Sequence, residues 1–237
     1  MLHIKKSSQR GHTKIDWLNS FHSFSFGEFF DPNNIQFGPI RVLNDDTVQP
    51  GAGFPTHPHK DMEIISIVRS GVMAHRDNTG GEGIIRPGVI QKMSAGKGIL
   101  HSEFNASDKE ILRLFQIWVM PDKKGIKPSY EEIRYETEES RNKLYLAASG
   151  NVEDGVIFVN QDIKMFVADI EAGNEINYEI DEGRNIYIHL MDGSITVNDM
   201  KLKEGDAVEV TNENSLRIKG LDNSGLILFD ISGANQA

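Results

Sequence analysis

Short apolar runs, broken every few positions by glycine or by Asn and Asp, extend through most of this chain, and that rhythm restricts it to β structure. In the first half the runs Glu63–Arg69, Val72–Arg76, Gly88–Met93 and Leu112–Met120 read as strands. In the second half Gly155–Asn160, Lys164–Ile170, Asn185–Met191, Ser194–Val197, Asp206–Val210 and Leu226–Ile231 do the same. The pairs Ser70-Gly71, Asp192-Gly193 and Glu204-Gly205 fall at the breaks, where a tight hairpin needs a residue that tolerates positive φ. An all-β fold is therefore expected.

One stretch departs from the rhythm. Pro121 to about Arg141 carries Pro121, Gly125, Pro128 and the acids Glu131, Glu132, Glu136, Glu138 and Glu139. It reads as the connection between two domains, residues 1–125 and 126–237, with one short helical turn near Thr137–Asn142. The two halves share a pattern. IISIVRSGVMAHR and IYIHLMDGSITVN are both strand–glycine–strand hairpins centred on Gly71 and Gly193, and RPGVIQKM resembles KEGDAVEV. Aligned on those glycines, His57 and His59 fall on Glu179 and Asp181. The fold reads as duplicated and the histidines do not.

Those histidines carry the chemistry. His57-Pro58-His59 and His101-Ser102-Glu103 are two pairs of metal-ligating residues, each with one residue between its members. Side chains at i and i+2 of a strand point to the same face. Two such strands brought together in one barrel turn three imidazoles and a carboxylate inward, a set that suits a divalent transition metal with coordination positions left over. Composition removes the competing classes. The formal charge of −10 argues against binding a phosphate backbone. The basic near-run Lys5, Lys6, Arg10 and Lys14 is explained by a solvated strand. The absence of cysteine excludes disulfides, thiolate ligands and cysteine nucleophiles. No apolar run approaches a membrane span, and the N-terminus lacks the hydrophobic stretch of a signal peptide, so a cytoplasmic location is expected.

Gly51-x5-His57-x-His59-x3-Glu63 matches the first cupin motif, but the usual histidine position of the second motif holds Ile99, and the histidine comes two residues later. Longer strings account for the variant: FHSFSFGEFFDP, FGPIRVLNDDTVQPGAGFPTHPHKDMEIISIVRSGVMAHRDNTG and IIRPGVIQKMSAGKGILHSE. Together they closely resemble the pirin family in its bacterial, quercetinase-like branch. The resemblance implies a bicupin of two stacked β-barrel (jelly-roll) domains, the first holding a metal, usually iron, and the second without ligands. Its metal ligands map onto His57, His59, His101 and Glu103, the four that strand geometry selects.

The remaining candidates have plainer readings. Glu63 would be a ligand in a standard cupin, but with Glu103 in that role it reads as a strand residue facing a polar partner. His22, His75 and His189 read as hydrogen-bonded structural histidines, and His3 and His12 carry no inference. Phe24, Phe26, Phe29 and Phe30 read as core aromatics. Gly80-Gly81-Glu82-Gly83 lacks the lysine and helix of a phosphate loop and reads as a loop between strands.

Three neutral histidines and one carboxylate leave a divalent ion with net positive charge, which favours an anionic oxygen donor such as a deprotonated enol or phenol. Fe(II) is the expected metal, although Mn, Co, Ni, Cu and Zn bind similar sets. The function expected is a quercetinase-type dioxygenase acting on a flavonol or related small aromatic substrate and O2, with Glu103 as catalytic base. The alternative is a metal- or redox-sensing regulatory protein that binds a protein partner. A metal-dependent cupin enzyme that uses no oxygen is the third reading.

Overall fold

The structure, a computed structural model, describes residues 1–233. Apart from a 3-10 turn at Ser7–Gln9 and the helix Thr137–Ser140, its regular elements are β-strands. The chain forms two compact units. The first holds residues 10–134 with 159–161, and the second holds residues 1–9, 135–158 and the chain from Asp162 on.

The first unit contains a seven-stranded sheet in the order Ser129–Arg134, Val89–Ser94, Glu63–Ser70, Leu112–Val119, Ile40–Val48, Leu18–His22, Gly11–Lys14. A four-stranded sheet has the order Gly53–His59, Ile99–Asn105, Met73–Asp77, Glu82–Ile85. Burial follows the two-residue period. In Ile99–Asn105 the residues Ile99, His101, Glu103 and Asn105 are buried while Leu100 and Phe104 face out. Apolar side chains from the two sheets fill the interior, among them Leu18, Val48, Val68, Met73, Ile85, Leu112 and Leu114. Each such side chain stabilises the fold by about 1.5–3 kcal/mol relative to exposure.

The second unit repeats this arrangement. Arg184–Asp192 lies between Ala207–Val210 and Ser224–Ser232, as Glu63–Ser70 lies between Val89–Ser94 and Leu112–Val119. Its smaller sheet runs Glu175–Glu179, Ser215–Gly220, Ser194–Val197, Met200–Lys203. Glu175–Glu179 thus corresponds to the strand of His57 and His59, and Ser215–Gly220 to the strand of His101 and Glu103. Its interior is aliphatic, from Ile186, Ile188 and Leu190 to Leu226 and Leu228.

Some elements differ from the sequence reading. Ser129–Arg134, inside the stretch read as a connection, is a strand paired with Val89–Ser94, while the helical turn falls at Thr137–Ser140 as expected. Leu2–Lys5 pairs with Ala207–Val210, so the start of the chain belongs to the second unit. Lys5 and Lys6 there meet Glu209 and Asp206, which explains the basic near-run. Phe24 is buried in the core as expected, whereas Phe30 is 71% exposed. Phe30 follows the Phe26–Phe29 bridge, where the chain turns outward.

Candidate metal centre

The strands Gly53–His59 and Ile99–Asn105 are adjacent and antiparallel, with His101 directly opposite His57. The register then shifts, because Glu103 pairs with Phe54, leaving one extra residue on the Gly53–His59 side. Such a bulge twists a strand and re-aims its side chains. The ring centroids of His57, His59 and His101 lie 4.5–4.8 Å apart. One nitrogen from each ring falls within 4.8 Å of the other two. His101 also belongs to a deeper group with His75 and Glu103, bounded by the same distance. The four expected ligands therefore converge through His101. His57 and His59 are half-buried, while His101 and Glu103 are buried.

Nδ1 of His57 donates to the Pro55 carbonyl at 2.8 Å, which turns Nε2 toward the other rings. That atom lies 3.1 Å from Nε2 of His101. Burial, and then the charge of neighbouring imidazoles, lowers the pKa of His59 to about 4 and that of His101 to about 2. Both rings are neutral near pH 7, so each offers a lone pair on one of its two nitrogens. Three imidazoles and a neighbouring carboxyl fit a divalent transition metal.

Glu103 is held by donors on three neighbouring strands. It accepts from Ser66 Oγ at 3.1 Å and Gln91 Nε2 at 3.1 Å on one oxygen, and from Gln116 Nε2 at 2.6 Å on the other. Burial outweighs these bonds and raises its pKa to about 7. The two amides are themselves oriented. Tyr130 Oη donates to the Gln91 carbonyl oxygen at 3.3 Å, and Trp118 Nε1 donates to that of Gln116 at 3.1 Å. The Trp118 ring also packs edge-on against His59, 4.8 Å between centroids. Trp118 thus supports both a histidine and, through Gln116, the carboxylate.

Sequence reasoning did not single out Ser66, Gln91, Gln116, Trp118 or Tyr130. The signal for Gln116 was present: it is a lone amide between Phe115 and Ile117 in a largely apolar strand, and it is buried, as is Gln91. Glu63 points away from the cluster, accepting from Ser94 Oγ and pairing with the buried Lys92 Nζ at 3.2 Å. His75 donates from Nε2 to Asp77 Oδ2 at 3.2 Å, faces the Gln91 amide at 3.3 Å and stacks on Tyr130. His22 lies between Thr13 and Asn44.

Gln116 also lines a cavity of about 340 Å³. Its other walls include Ile15, Leu18, Phe26 and Phe54, with Thr13, Ser20, His22, Asn44 and Asp46 supplying polar groups. Phe26 meets Trp118 edge-on at 5.5 Å, so Trp118 bridges from the cavity wall to His59. Among the described residues, both groups able to hold a metal lie in the first unit.

Comparison with known proteins agrees with this architecture. The pirin family model matches residues 3–119, and the model for the quercetinase C-terminal cupin domain matches residues 131–231. Quercetin 2,3-dioxygenase of Escherichia coli strain K12 is 37% identical over 231 residues, covering 98% of this chain and 99% of that protein. A pirin-like protein of Caulobacter vibrioides is 36% identical over 231 residues, covering 97% of this chain and 99% of its own. The crystal structure of the bacterial pirin YhhW from Escherichia coli in complex with nickel(II) superposes with a TM-score of 0.92 at 37% identity. That match covers 98% of this chain and 99% of that one.

Proposed function

The chain belongs to the pirin family, and on that premise we propose that it is a quercetinase-like oxidoreductase, a metal-dependent dioxygenase of flavonols or related enols and phenols. What supports the reading is the convergence of three imidazoles beside a buried carboxyl, next to a largely apolar cavity. His57, His59, His101 and Glu103 are the residues we assign to the metal, and the first unit, residues 10–134 with 159–161, is the domain we assign to it. Iron(II) is the metal we assign. When bound, it would supply Lewis acidity toward a substrate hydroxyl and a redox-active centre for O2.

The chain's own part is binding, exclusion of water and movement of a proton. Phe26 and Phe54 offer the cavity's aromatic faces to a flat apolar body. Glu103, buried and held by Ser66, Gln91 and Gln116, is the group we assign as the base that takes the proton of a substrate hydroxyl. Gln116, donating to Glu103 and lining the cavity, lies at the junction between substrate and base. Trp118 fixes the orientation of that amide, so the base keeps its donor while substrate enters.

The test is oxygen uptake by protein reconstituted with Fe(II) or Ni(II) and given quercetin. Uptake that depends on protein, metal and quercetin together is the expected result. A metal-loaded protein that consumes no oxygen would sink the dioxygenase reading and favour a sensing role.

A further inference from the structure

One buried carboxyl of the first unit has no part in the metal cluster. Asp46 is 2% exposed, sits in the middle of Ile40–Val48, and lines the cavity that Gln116 shares with the metal centre. Around it the cavity is mostly apolar, with Leu18, Ile15, Phe26 and Phe54 in its walls. A carboxyl in such surroundings carries a desolvation cost that a nonpolar residue of the same size would not. Its partner there is the Ser20 hydroxyl, which donates to Oδ1. The polar neighbours on the same wall are committed to one another. His22 Nδ1 meets Asn44 Oδ1 at 2.9 Å and Ser20 Oγ at 3.3 Å, while its Nε2 meets the Thr13 hydroxyl at 2.8 Å. Asp46 is thus the buried carboxyl that the cavity wall offers to a ligand, the other carboxyl of the lining, Glu28, being exposed to water.

We propose that Asp46 is a specificity-determining residue of this cavity, selecting flat, largely apolar molecules that carry a neutral hydroxyl donor in addition to the oxygen taken by the metal centre. The inference rests on the proposed flavonol-type function and adds to it the reason one member of the class is preferred over another. A hydroxyl donor satisfies a buried carboxyl. A ligand lacking the donor leaves it unpaired, and a ligand bearing a carboxylate meets like charge. Burial also raises the pKa of Asp46 to about 7, so at pH 8 the group is predominantly the carboxylate, an acceptor only.

The experiment uses two probes that differ only in ring hydroxyls: quercetin, and 3-hydroxyflavone, which keeps the 3-hydroxyl and lacks the others. Their dissociation constants are measured without oxygen at pH 8 on the nickel(II)-loaded full chain, for wild type, Asp46→Leu and Asp46→Asn. The wild type is expected to prefer quercetin, and Asp46→Leu to lose about tenfold in quercetin affinity with 3-hydroxyflavone unchanged. Asp46→Asn keeps one acceptor and is expected to fall between the two; it also serves if the leucine variant does not fold. An unchanged ratio of the two constants in the variants overturns the role of Asp46 while leaving the flavonol reading intact. Failure of wild type to bind either probe overturns both.

Discussion

Gln116 makes three connections that a residue in an apolar strand would not be expected to make. It donates to Glu103, accepts from Trp118 and forms part of a cavity wall. Replacing it with leucine keeps the volume and removes the 2.6 Å donor from a buried carboxylate. Loss of a supporting partner of this kind typically costs ~10–100-fold in metal affinity. A calorimetric nickel(II) titration of Gln116→Leu should show a loss in that range with an unchanged melting profile of the metal-free protein. Asp46 gives a second residue-scale prediction, in stability. Burial holds its folded-state pKa at about 7, above the ordinary 3.8 of an aspartate, so the folded state binds this proton more tightly than the unfolded state does. Its contribution is least unfavourable below about pH 4, worsens as pH rises to about 7 and is constant above that, reaching a penalty on the order of a few kcal/mol. Asp46→Asn removes the titrating group. Denaturant melts at pH 5 and pH 8 should therefore show the variant gaining stability relative to wild type at the higher pH. Equal differences at both values would contradict it.

At the scale of elements, the centre depends on how closely two strands approach. A Cβ on Gly53 would meet the Glu103 carbonyl oxygen at 2.3 Å and Phe104 Cα at 2.5 Å, both backbone atoms that cannot rotate away. Gly53→Ala should separate the strand of His57 and His59 from that of His101 and Glu103. We expect a loss of about 1–3 kcal/mol in stability together with weaker metal binding, measured by chemical denaturation and by titration of the same variant. The element scale also explains what the sequence made legible. HPH and HSE announced themselves because the two-residue period of a strand turns alternate residues to one face, and the register places His101 opposite His57. Glu63–Ser70 and Leu112–Val119 were readable as continuous apolar runs, since both faces of their strands are largely buried. Ile40–Val48 was not readable as a strand. Its centre is Asn44-Asp45-Asp46, which looks like a turn, yet all three residues are buried. Asp45 is held there by Arg113 at 3.0 Å, a partner distant in the chain, and no local pattern reveals such a pair. Ser129–Arg134 was hidden for a related reason. Its acids and partial exposure resemble a linker, and only pairing with Val89–Ser94 brings Tyr130 within reach of Gln91.

Across the whole molecule, one topology serves two different ends. In the first unit the smaller sheet carries histidines inward; in the second the corresponding strands carry Ile176, Leu216 and Ile218 into an aliphatic core. The N-terminal strand Leu2–Lys5 contributes to that second unit by covering the Ala207–Val210 edge. Removing residues 1–9 should therefore lower the melting temperature of the chain while leaving the metal-binding stoichiometry unchanged. Loss of metal from the truncated chain would show that the two functions are not separable in this way. We propose that one metal is held per chain, by the cluster through His101. Metal content measured by mass spectrometry after loading and desalting tests it most directly, on wild type and on His101→Ala. About one equivalent is expected in wild type and almost none in the folded variant. A full equivalent retained by His101→Ala would put the metal elsewhere and overturn the assignment of this cluster.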